Sequence, residues 1–94
     1  MARSIMQQED RQCYICEQRN NLERHHIFGA FNRNNSEKYG LTVWLCHDCH
    51  NEPPLGVHHN AKVRHWLQDK AQRKFEEQYP NLDFVSIFGR NYKE

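Results

Sequence analysis

No stretch of this chain approaches the ~20 consecutive apolar residues that a membrane-spanning helix requires, so a helical span and a membrane partner are not expected. The opening MARSIMQQEDRQ lacks an apolar core and does not read as a secretory leader. Neither sign of charge is in excess: 13 Lys and Arg stand against 12 Asp and Glu, for a net charge of +1. That total says little about partners, because nucleic-acid binding needs a basic face rather than a basic sum. Hydrophobic residues are scarce, at 37% of 94 residues. A chain this short buries only about 60–65% of its unfolded surface, so its core is thin. Such scaffolds generally depend on a metal, disulfides or a partner. There is no low-complexity tract and no internal repeat beyond two cysteine hooks. The composition therefore describes one small folded domain that needs a staple.

The staple is visible in the cysteines. Cys13 and Cys16 form one Cys-x-x-Cys hook, and Cys46 and Cys49 form another. Two intervening residues allow both sulfurs of a hook to reach one ion, and four thiolates satisfy tetrahedral zinc. Intracellular thiols stay reduced, which favours metal ligation over disulfides and an intracellular, cytoplasmic setting. A redox dithiol is the competing reading, but neither hook lies in a βαβ context. Structural Zn²⁺ on Cys13, Cys16, Cys46 and Cys49 is the expectation, with folding coupled to ligation.

The organisation expected is α+β. Residues 1–12 form a polar lead-in, either loose or a short helical turn, and 13–94 form one domain divided into a core over 13–59 and a helix with tail over 60–94. Leu22–Phe28 and Leu41–Leu45 read as paired strands. Gly29–Gly40, rich in Gly, Asn and Ser, reads as a long loop. A helical turn at His50–Glu52 is ended by Pro53-Pro54. Asn60 is an N-cap for a long helix whose apolar face carries Val63, Trp66, Leu67, Ala71, Phe75 and Tyr79. Pro80 stops it, and Leu82–Phe88 is a strand or a short helix.

The chain holds seven histidines, most of them in adjacent pairs or beside cysteines. His25 and His26 fall on the first strand, where neighbouring side chains point to opposite faces. One can bind a metal while the other points elsewhere. His50 has its backbone set by the adjacent hook. His47 lies within that hook and is expected to be exposed or to support a ligand. Either His58 or His59, after the Pro-Gly turn, can return toward His50 as a third ligand. A catalytic metal needs few protein ligands, and a histidine not bound to it can deprotonate water.

Hook, ERHHI, loop and LTVWLCHDCH together resemble the HNH endonucleases of the His-Me finger group, over roughly residues 13–59. The long helix and the ending FVSIFGRNY resemble small HNH-like proteins of phages and prophages. The resemblance implies a zinc-stapled ββα-metal core with an additional long C-terminal helix, and metal-dependent hydrolysis of DNA phosphodiester bonds. It implies that His25 and His50 bind the catalytic divalent ion, with His58 or His59 as a further ligand, and that His26 is the general base. Mg²⁺ or Mn²⁺ is the implied ion, and histidine-rich ligation also admits Ni²⁺ or Zn²⁺. Arg33 is expected to hold the scissile phosphate, with Arg24 and Lys38 as further nucleic-acid contacts. RNA as substrate and other proteins for targeting stay open. The sequence departs from the family at the central Asn, since Leu41–Leu45 contains none. Asn32, Asn34 and Asn35 lie earlier in the chain. The rival reading is a noncatalytic zinc-stabilised module that binds nucleic acid or acts as an adaptor.

Overall fold

A computed structural model describes residues 3–7, 11–54 and 56–93. Strand β1, Leu22–His26, pairs antiparallel with β2, Thr42–Cys46, in a two-stranded sheet. The register sets Glu23 opposite Leu45 and His25 opposite Val43 on one face. Arg24 opposite Trp44 and His26 opposite Thr42 occupy the other. Strand alternation thus separates the adjacent histidines, as the sequence implied.

The segment expected to be a loop is largely helical. Ala30–Asn32 form a 3₁₀ turn, and Arg33–Tyr39 form helix α1, which ends on left-handed Gly40. Asn and Ser favour loops because their side chains can bond to nearby backbone. Here tertiary partners take those side chains instead. The Ser36 hydroxyl donates to the Phe28 carbonyl at 2.7 Å and accepts from the Phe28 N–H at 3.0 Å. Asn32 and Asn35 donate to the carbonyls of Phe88 and Ile87.

Of the expected lead-in, residues 1, 2 and 8–10 lie outside the described residues. Residues 3–7 are not loose. Ile5 N–H donates to the Gly40 carbonyl at 2.9 Å, and the Gln7 side-chain oxygen accepts from Trp44 N–H at 2.7 Å. A Cβ on Gly40 would collide with the Arg3 carbonyl, so glycine is required there for space as well as for its φ of 74°.

Helix α2, His47–Asn51, begins inside the second hook, earlier than the expected turn. Helix α3, Ala61–Gln78, is capped by the Asn60 side chain, which accepts from Val63 N–H. It buries Leu67, Ala71, Gln72 and Phe75. Trp66, expected on that face, is 44% exposed, because one residue of helix rotation turns it away from the 67-71-75 line. Phe84–Phe88 is a helix, α4, and not a strand: Asp83 caps its start and Gly89 ends it at φ 94°. Phe28, Phe75, Phe84 and Phe88 pack together with ring centroids 4.4 to 5.8 Å apart. Burying each such ring contributes about 1.5–3 kcal/mol. Among the described residues no helix is long and apolar enough to cross a membrane.

Candidate functional site

The four cysteines converge at one end of the sheet. The first hook is a tight turn in which Glu17 N–H donates to the Cys13 carbonyl, and Tyr14 N–H ties it to the Trp44 carbonyl of β2. Cys46 ends β2 and Cys49 lies in α2. Their sulfurs all lie within 4.8 Å of one another, with Cys16 and Cys46 at 3.6 Å. A tetrahedron with ~2.3 Å Zn–S bonds has edges of ~3.8 Å, so the cluster fits structural zinc. Burial raises the Cys13 thiol, but the backbone N–H groups of Cys16, Cys46 and Ile15 outweigh it and bring it to about 7. Cys49 is pushed up by burial and then by its neighbouring thiols. Four thiolates at this separation need a cation to coexist.

A second cluster lies on the Glu23–His25 face of β1. His25, His50 and His58 bring ring nitrogens within 4.8 Å of one another. His50 Nε2 lies 3.2 Å from His25 Nδ1 and 2.9 Å from His58 Nε2. The chain after the Pro-Pro turn makes this possible. Gly56 N–H donates to the Glu52 carbonyl, where a Cβ would stand 2.6 Å from that oxygen, and His58 N–H donates to the His50 carbonyl. His59 is exposed and its ring stands outside the cluster, so the return brings in His58 of the pair.

Glu23 orients the central ring. His50 Nδ1–H donates to Glu23 Oε1 at 2.8 Å, and Asn51 donates to the same oxygen at 2.9 Å. With its proton on Nδ1, His50 presents a bare lone pair at Nε2. One lone pair can accept one N–H, yet it faces two imidazole nitrogens. A cation accepting all three resolves that conflict, so the donor set fits a divalent ion of the imidazole-binding kind. Hydrogen bonds from His50 first, and then from His47, hold Glu23 below the usual carboxylate range. His47 is exposed and lies between Glu23 and Glu52, which raise it.

Burial, and then the His50, His58 and His26 rings, push His25 down to about 3. Its lone pair is therefore available at neutral pH. The sign of the linkage follows. The unfolded ring gains a proton below about 6.5 while the folded ring refuses one down to about 3, so stability falls on acidification through that window. Thermal melts should give a lower Tm at about pH 5 than at about pH 7. His25→Asn should lose less over the interval, and equal losses in the two proteins would contradict this.

On the opposite face, His26 Nε2 meets Glu37 Oε2 at 2.7 Å, and Arg24 pairs with the other Glu37 oxygen at 3.3 Å. The His26 hydrogen bond foremost, and the Arg24 charge, hold Glu37 below its ordinary value. These three residues, with Arg33 and Asn34 from the start of α1, line an open cavity of about 380 Å³. Lys38 is not among the lining residues, and its ammonium lies 5.3 Å from the Tyr39 ring.

No protein-family model matches this chain, nor does any curated protein or solved structure.

Glu23 and Glu37 were missed from sequence. Glu23 was within reach, since it stands two residues before His25 on a strand and shares its face. Glu37 was hidden because its helix read as a loop. Once α1 is known, Arg33 and Glu37 lie one turn apart.

Proposed function

We propose that the chain is a metal-dependent endonuclease of the HNH type, hydrolysing DNA phosphodiester bonds, with zinc on the four cysteines as its structural staple. One observation carries the reading. A histidine braced by a carboxylate, His26 on Glu37, is directly bonded in sequence to His25 of a convergent three-nitrogen cluster. A zinc-stapled binding module has no use for both. Among the described residues β2 is the only strand paired with β1, so a phosphate at the other edge of β1 would be reached from both faces.

His25, His50 and His58 would hold the divalent ion. When bound there, such an ion would supply Lewis acidity toward the phosphate and the leaving 3′-oxygen. His26 donates Nε2–H to Glu37, which leaves Nδ1 as the atom that takes a proton from water. Glu37 orients the ring and stabilises the imidazolium that forms. Arg33 and Arg24 meet the phosphate oxygens through charge-assisted hydrogen bonds. On this reading Glu37 braces the base directly.

The test is plasmid cleavage by the zinc-loaded protein with added Mg²⁺, Mn²⁺ or Ni²⁺. Failure of every ion to support cleavage removes the reading. Glu37→Gln keeps the shape and loses the charge. It is expected to lower kcat about 10- to 100-fold with KM little changed, as loss of an orienting partner does. A variant as fast as the wild type would show that Glu37 is only a surface ion pair.

A further inference from the structure

Phe31 is the most exposed large hydrophobic residue described, at 85%. It stands on the 3₁₀ turn Ala30–Asn32, between buried Phe28 and buried Asn32. The turn is held from both sides. Asn32 N–H donates to the Gly29 carbonyl at 3.0 Å, and its buried side-chain amide donates to the Phe88 carbonyl at 2.9 Å. Asn35 Nδ2 bridges Asn32 Oδ1 and the Ile87 carbonyl. Ala30 adopts φ 53°, a conformation that L-residues other than Asn and Asp seldom take. A backbone fixed in this way presents a phenyl ring to water, and folding gains nothing from that placement.

The same turn leads into α1, whose first two residues, Arg33 and Asn34, line the cavity that also contains His26 and Arg24. A flat apolar ring therefore stands two residues from a guanidinium of the candidate site. That pairing matches nucleic acid, with cations for phosphate oxygens and an aromatic face for a base. A pocket on a protein partner would accept the ring but would not account for Arg33 at the cavity two residues away.

We propose that Phe31 is a base-stacking wedge that makes DNA with unpaired or easily unstacked bases the preferred substrate class; this rests on the nuclease reading above. Inserting a ring between paired bases costs unstacking, and the cost is least where a base is already unpaired. Stacking on an aromatic side chain strengthens binding about 5- to 150-fold per base.

Binding is measured without added divalent ion, so that strands stay intact, on a short duplex either fully paired or carrying a central unpaired bubble. The wild type should favour the bubble by at least about fivefold. Phe31→Ala should bind both alike, at the wild type's affinity for paired duplex, with unchanged Tm and zinc content. Phe31→Trp should keep the preference, and its added fluorescence should be quenched by bubble DNA. Equal binding of both probes by the wild type overturns the wedge, as does a preference that survives in Phe31→Ala, or no DNA binding at all. A preference lost in Phe31→Ala together with no cleavage by any metal keeps the wedge and removes the nuclease. Cleavage without the preference does the reverse.

Discussion

Cys46→Ser is expected to abolish the cooperative thermal transition. Cys46 joins the end of β2 to the start of α2, and its sulfur lies 3.6 Å from that of Cys16. It links two hooks separated by thirty-three residues of sequence, counted from Cys13 to Cys46 (46 − 13). Structural zinc contributes about 10–16 kcal/mol of apparent binding free energy in small zinc domains. A domain's whole stability is about 5–15 kcal/mol. Cys13 and Cys46 belong to the same buried cluster as Phe75, Phe84 and Phe88, but that apolar packing does not replace the four-thiolate link. A strong chelator should act as the mutation does. Circular dichroism melts, read beside zinc content, check the result. A zinc-free protein that keeps the wild-type transition would sink the staple.

His26→Ala should leave the fold and zinc content intact and lower kcat by about 10²–10⁴, the usual contribution of a general base. The His26 side chain, 17% exposed, meets Glu37 and is not part of the buried apolar core. KM should change little, because on the proposed reading His26 would act on water and the arginines would hold the phosphate. The expected loss exceeds that of Glu37→Gln, since removing the proton acceptor costs more than loosening its orientation. Added imidazole should restore part of the rate in the alanine variant. Cleavage at the wild-type rate would return the chain to the noncatalytic reading, in which the sheet, hooks and histidines frame a binding surface only.

Several features were legible before any coordinates. The hooks are local patterns, and ligand reach across two residues is a property of the chain itself. The separation of His25 from His26 follows from strand alternation. Asn60 caps α3 through a bond to Val63 three residues on. Each of these depends on neighbours within a turn or a strand.

The rest required contacts across the chain. Helix α1 exists where composition reads as loop because Phe28, Ile87 and Phe88 supply partners for Ser36, Asn35 and Asn32. Its formation carries Glu37 to His26. His58 joins the cluster in preference to His59 because Gly56 folds the chain tightly onto Glu52. Sequence alone determined the paired cysteine hooks and which face of β1 each histidine takes, since both follow from short-range periodicity. Tertiary structure decided which carboxylate meets which ring, because hydrogen bonds between distant segments form only once the core has set their distance.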